Sequence, residues 1–308
     1  MGKLMNSKTT QAMLLQRFMH AYTAVSMKKK YNACVEMIQN ADAIMVLGTK
    51  IATDSPELYE ILEVIFKKED VKIVYSHPID DPAMRDIVNQ FMKYEPGSEE
   101  GVIALLAYYL LEGERLPVKT RSFLEELDIA YLEAESNTGE EEFEETVALF
   151  KAANTKVLIL GDDVMAHPRA QNIAKICALI ENSYDISIYI ASSLVNEVKI
   201  SQTSALDAEL QEVEDLPEYN GTVIYNAHGV DENDKSLHGS VQFANAARIS
   251  DGDFISIAFG GQTINREFKI DNELKGTIAI NPTFDVAVQG YKFERSRINK
   301  INQNSESR

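Results

Sequence analysis

Cysteine is nearly absent from this chain, with Cys34 and Cys177 the only two in 308 residues. A four-cysteine iron-sulfur cluster needs twice that number, and a cysteine-rich zinc site needs close spacing as well, so the chain holds neither by itself. Both cysteines fall singly on predicted helices and read as small core residues in a reducing compartment. Basic residues are scarce too: Lys and Arg total 30 against 48 Asp and Glu, a formal charge of -18. So acidic a surface suits neither a nucleic-acid backbone nor an anionic membrane, both of which call for clustered cations. No run approaches the ~20 apolar residues needed to cross a bilayer. The opening stretch MGKLMNSKTTQAMLLQRFMHAY has neither the apolar segment nor the small-residue cleavage site of an export signal. A soluble, cytoplasmic chain is expected. Five histidines, at 20, 77, 167, 228 and 238, share no HxH or HxxxH spacing, and no GxSxG elbow or local Cys-His motif points to nucleophilic hydrolysis.

What the chain does have is a repeated phrase. AIMVLGTKIATDSP (43–56) and VLILGDDVMAHP (157–168) each run from an apolar stretch through Leu-Gly and a short polar loop to a proline. Gly48 and Gly161, and likewise Pro56 and Pro168, keep the same register to within one residue. Each copy continues through an apolar-periodic stretch, Leu58 to Phe66 or Ile173 to Ile180, into a second apolar run, KIVYS or ISIYI. Strand, crossover helix and strand at this spacing predict two related βαβ halves sharing a Rossmann-like parallel sheet. Ligands of such folds bind at the carboxyl ends of the strands, which directs attention to the two glycine loops.

The remaining segments are read from periodicity and turn chemistry. Residues 8 to 40 predict a helix with Met13, Leu14, Phe18, Tyr22 and Val25 on one face, and Lys28 to Lys30 marking an exposed turn or helix end. Ser55 and Pro56 form an N-cap and first-turn pair. A helix is expected near Ala83 to Lys93, then the turn EPGSEEG opening the apolar helix VIALLAYYLL, a polar helical stretch over 112 to 128, and a cap at Ser136 to Thr138 before a glutamate-rich helix. The glutamates between 140 and 145 read as a solvated first turn rather than a metal cluster. Beyond Gly221 the pattern changes to the short strands TVIYN, FISIAF, TINREFKI and GTIAIN, with hairpin signals at Asp251-Gly252 and Gly260-Gly261. The domains expected are an α/β domain over 1–200, an acidic linker over 201–220, a β-rich, barrel-like module over 221–298 and a disordered tail over 299–308.

Two loops carry candidate chemistry. Gly48 with Lys50, Thr53 and Ser55 suits either a phosphate or ribose at a helix N-terminus or a plain glycine exit from a buried strand. Asp162 and Asp163 repel phosphate, and suit either a Mg²⁺ ion or simply the acidic start of a helix. His77 and His167 each precede a proline at a loop exit, a position that turn geometry alone favours.

The ordered motifs VLGTKIATDSP, YEPGSEEGVIALL, ESNTGEEEFEE, KVLILGDDVMAHPR and VIYNAHG resemble the molybdopterin-oxidoreductase-like part of the large iron-sulfur subunit of NADH-quinone oxidoreductase, respiratory complex I. The segment ANAARISDGDFISIAFGGQTINREFKIDNELKGTIAINP resembles, in shortened form, the dinucleotide-binding β-barrel that closes molybdopterin enzymes. The resemblance implies a scaffold in the peripheral arm of a respiratory complex, lacking the cluster-bearing ferredoxin-like part and any redox centre of its own. It would sit at the inner membrane only through partner subunits, without binding nucleic acid or inserting into the bilayer. Gly48, Thr49, Gly97, Ser98 and Gly161 correspond to vestigial cofactor loops, with no catalytic or metal-ligating residue and no cofactor expected. The alternatives are a domain that still binds a molybdopterin dinucleotide, with a ligand from Cys34, Cys177 or an Asp, and a generic nucleotide- or small-molecule-binding α/β module.

Overall fold

The computed structural model describes residues 2–27, 31–68, 70–198, 207–229, 231, 233–259, 262–283 and 290–301. The chain divides into a larger unit, Gln11–Glu218, and a smaller one formed by Met1–Thr10 and Tyr219–Arg308. The larger unit begins within helix α1 (Gly2–Val25) and continues through α2 (Val35–Gln39), β1 (Ala43–Leu47), α3 (Ile51–Asp54), α4 (Pro56–Phe66), β2 (Lys72–Ser76) and β3 (Gln90–Met92). It then runs through α5 (Glu99–Leu111), α6 (Val118–Glu125), α7 (Ile129–Ser136), α8 (Glu140–Ala152), β4 (Lys156–Leu160), α9 (Asp162–Ala166), α10 (Ala170–Ser183) and β5 (Ser187–Ile190).

Its five strands form one parallel sheet in the order β3-β2-β1-β4-β5, so the two βαβ halves meet at the β1–β4 pair. This is the doubly wound arrangement that the repeat calls for. β1 is buried along its whole length, and alternate residues serve opposite faces. Met45, Leu47, Leu158 and Leu160 join the core built with α1, α5, α8 and α10, whereas Ile44, Val46, Val157 and Ile159 join the one built with α4. Helix α5 is apolar all round because it is enclosed: from Val102 to Ala107 every residue is buried.

Several expectations need correction. The helix expected over 8 to 40 ends at Val25 and only resumes at Val35, with 31–34 irregular, while Lys28 to Lys30 lie outside the described residues. Residues 83–89 are turns, and Gln90–Met92 form a strand where a helix was expected. Tertiary pairing overrides local propensity there: Phe91 aligns with Tyr75, and the Asn89 amide donates to the Ile73 carbonyl at 2.8 Å. The N-cap of α8 is Gly139 rather than Ser136 to Thr138; the Glu142 carboxylate accepts from the Gly139 amide at 2.8 Å, and Asn137 ends α7 in the left-handed conformation. Residues 207–218, within the expected linker, lie on the larger unit as an irregular strap, with Leu216 buried against Gly101. Cys34 is exposed, whereas Cys177 is buried and its thiol is pushed up by burial.

In the smaller unit the described elements are β6 (Val223–Ala227), β7 (Ser236–Gly239), α11 (Val241–Ala247), β8 (Phe254–Phe259), β9 (Gln262–Ile270), β10 (Ile278–Pro282), β11 (Phe293–Arg295) and β12 (Ile298–Lys300). They form a seven-stranded mixed sheet, order β11-β6-β10-β7-β9-β8-β12, packed on Phe243, Phe268, Leu237 and Ile257. Asp251-Gly252 is a turn between α11 and β8 rather than a hairpin, with Gly252 at φ +79. Gly260-Gly261 lies outside the described residues. Strand β12 pairs with β8 and reaches into the segment read as a tail, of which 302–308 lie outside the described residues.

Candidate functional site

The two glycine exits are clasped together. Gly161 donates its amide to the Leu47 carbonyl at 2.9 Å, and the Asp163 amide donates to the Gly48 carbonyl at 3.1 Å. A Cβ on Gly161 would stand 2.7 Å from Thr49 Cγ2 and closer still to Thr49 Cβ and the Gly48 oxygen. Gly48 itself needs the left-handed region, at φ +68, and a Cβ there would meet Val164 Cγ2 at 2.5 Å. Each glycine is required by the close approach of the other half of the sheet. At the switch point of the sheet the two strand exits touch each other.

The side chains around the clasp are polar and, apart from the half-buried Asp54, buried. Asp54 accepts from the Thr49 hydroxyl at 3.0 Å and the Lys50 amide at 3.1 Å, and the Tyr75 hydroxyl donates to the Thr49 carbonyl at 3.0 Å. The Lys50 ammonium stands 3.6 Å from Asp81, with both side chains at least nine-tenths buried. At the end of β2, His77 Nδ1 accepts from the Ile79 amide at 3.0 Å. In the neutral ring the proton therefore sits on Nε2, which points at Asp163 Oδ2, 3.3 Å away.

A second group surrounds the N-terminus of α5. His167 Nδ1 accepts from the Arg169 amide at 3.0 Å, so its Nε2–H donates to the Gly97 carbonyl at 2.9 Å. Burial pulls the His167 pKa down to about 4, and the ring is neutral at pH 7. Its 3.6 Å approach to Glu99 is accordingly no ion pair. Tyr94 donates to Glu99 at 3.2 Å. Burial raises the Glu100 carboxyl, although Arg169 at 3.1 Å and Asn172 at 2.7 Å hydrogen-bond to it. Arg169 also reaches Gln211, Glu214 and the Glu212 carbonyl, tying the strap to α10.

Of the residues singled out in the sequence, Gly48, Thr49 and Gly161 thus touch one another. Gly97, at φ +82, is joined to the second half through His167. Ser98 caps α5 without a side-chain cap bond, and its buried hydroxyl has no hydrogen-bond partner among the described residues; the same holds for Ser76 Oγ and Asp81 Oδ2. Asp163 faces His77, and Asp162 opens α9. The pairs Lys50–Asp81 and His77–Asp163 were missed because their members are far apart in sequence. His77 follows β2 and Asp163 follows β4, exits that the repeat does not equate, so the sequence carried no signal for that pair. Among the described residues no group of three or more His, Cys, Asp or Glu is placed to hold a metal ion.

These residues do not suit a pterin dinucleotide. Asp54, Asp81 and Asp163 put three carboxylates at the strand exits, Lys50 beside them already faces Asp81, and the glycine clasp leaves no room for a methyl group. Among the described residues no helix is long and apolar enough to cross a membrane.

No family model matches this chain. No curated protein matches it either. Among solved structures it is similar to acetylene hydratase from Pelobacter acetylenicus, at 6% identity and a TM-score of 0.46 over 56% of this chain. The overlap spans 25% of that protein and says nothing of what this chain does.

Proposed function

We propose that this chain is a non-catalytic structural component of a larger oxidoreductase assembly, the peripheral arm of a respiratory NADH-quinone oxidoreductase, whose redox centres belong to partner subunits. The observation that supports the non-catalytic part is the clasp between Gly48, Thr49 and Gly161, which joins the two strand exits where an α/β sheet commonly takes its ligand. Two cysteines, one buried with a raised pKa, add no electron-carrying ligand set. The choice of assembly rests on the sequence motifs 46–56, 94–106, 135–145, 156–169 and 223–229. The test is native electrophoresis of gently solubilised cells carrying the tagged chain. Co-migration with NADH-quinone oxidoreductase activity supports the proposal; migration at the mass of the chain alone overturns it.

A second reading, a small-molecule-binding α/β module, is favoured by the buried Ser76, Ser98 and Asp81 oxygens that have no hydrogen-bond partner among the described residues. It requires the clasp to open. A thermal-shift screen of nucleotides and small polar metabolites checks it: a saturable rise in midpoint supports this reading, and a flat screen removes it.

A further inference from the structure

A groove of about 1070 Å³ crosses the helical side of the larger unit, between α6 and α7 on one side and α10 with the strap on the other. Its apolar lining comes from Phe123, Leu132, Leu179, Leu210 and Val213. Met27 and Val118, at 76% and 80%, are the two most exposed large apolar side chains among the described residues, and both line this groove. Glu126, Asp128, Glu209, Glu212 and Asp215 line it as well, all exposed, against only Arg115 and Lys119 of opposite sign. The groove therefore combines an apolar bed with an excess of carboxylates along its rim.

The volume lies at the upper limit of small-molecule pockets. About two turns of helix, roughly 10–12 Å across and ~11 Å long, displace about 1000 Å³, which matches it. We propose that this groove receives a basic amphipathic helix of a partner protein, with its apolar stripe on Val118 and the half-buried Leu210 and Val213 and its Lys or Arg residues over Glu126 and Glu212. The inference rests on the structural-component reading and names the kind of partner that reading requires. The chain supplies a rival occupant: Lys28, Lys29 and Lys30 follow Met27 in sequence and lie outside the described residues.

The probe is a fluorescein-labelled Leu/Lys amphipathic helix of ~14 residues, compared with a scrambled peptide of the same composition, by anisotropy on the full chain at near-physiological salt. The amphipathic order should bind at least about tenfold tighter than the scrambled one. Glu126→Lys with Glu212→Lys, and separately Val118→Asp, should each weaken it about tenfold, with circular dichroism and thermal midpoint unchanged. Equal binding of the scrambled peptide, or indifference to these variants, overturns the proposal. So does a tenfold or greater gain when Lys28, Lys29 and Lys30 are all changed to Gln, because the chain would then fill its own groove; unchanged affinity supports a partner helix. Native electrophoresis separates the two claims. If the peptide fails while the chain co-migrates with the assembly, the groove alone is wrong; if the chain runs alone, the structural-component reading fails whatever the peptide does.

Discussion

Replacing Gly161 by alanine should cost far more than a surface glycine substitution, because the new methyl has nowhere to go. Gly161 lies at φ -98, so alanine meets no backbone strain there and the cost is steric. Ordinary carbon contacts lie at about 3.5–4.0 Å, whereas the Cβ would stand 2.7 Å from Thr49 Cγ2 and nearer still to Thr49 Cβ and the Gly48 oxygen. The two strand exits must part by about an ångström, a strain worth about 1–3 kcal/mol. That shift weakens the Gly161–Leu47 and Asp163–Gly48 backbone bonds, at about 1 kcal/mol each. The expected loss is about 3–5 kcal/mol, which a urea slope of about 2–3 kcal/mol/M turns into a midpoint lower by about 1–2.5 M. Far-UV circular dichroism follows it, since the chain has no tryptophan. Gly113→Ala is the control: with φ +82 and nothing within 4 Å of its Cβ, it should lose only about 1 kcal/mol, from the left-handed backbone. Thr49→Gly in the Gly161→Ala background removes two of the three nearest atoms and should return at least about 1 kcal/mol through coupling. A Gly161→Ala variant within about 0.5 kcal/mol of the parent would show that the clasp is loose and the reasoning wrong.

The remaining expectations concern the same region. Gly48→Ala combines a left-handed backbone with a 2.5 Å approach to Val164 and should lose about 2–4 kcal/mol in the same urea assay, against no change if the exit is slack. Between pH 6.5 and about 4 the unfolded chain binds a proton at His167 that the folded chain does not, so this residue makes stability fall on acidification through that window, by up to about 3 kcal/mol. Glu100, raised by burial, acts in the opposite sense at the acid end. His167→Gln should therefore flatten the midpoint-against-pH curve between pH 7 and 4.5, and parallel curves for parent and variant would contradict the assignment. Arg169→Met leaves Glu100 buried without its cation and releases the strap; about 3 kcal/mol should be lost. Cleavage by a glutamate-specific protease at residues 209–218 should accelerate, and an unchanged cleavage rate would show that Arg169 does not hold the strap.

Most of the sheet was legible because it obeys a period. Fully apolar runs ending in Leu-Gly announced β1 and β4, and the repeated register placed them in equivalent halves. The short β3 was not legible, since Gln90–Met92 is a strand only by virtue of its neighbour β2. Likewise α11 was missed in a stretch read for strands, although Ser240 caps it by accepting from the Phe243 amide at 3.0 Å. The glycine loops were visible as a location, but their occupancy was not. Whether Gly48 opens a cradle or closes a clasp depends on Thr49 meeting Gly161, a contact between segments more than a hundred residues apart. Separation in sequence also hid Lys50 facing Asp81 and His77 facing Asp163. The strap shows the acidity and aperiodicity of a linker; its anchors are Arg169, the N-cap of α10, and Asn172 and Lys175 within that helix.

Elemental analysis of the chain isolated gently from its native cells bears most directly on the claim that it carries no redox centre. Molybdenum, tungsten and iron should all fall far below one atom per chain once partner subunits are removed. Near-stoichiometric molybdenum or tungsten would contradict the account and show that the Gly48 and Gly97 loops open to hold a cofactor.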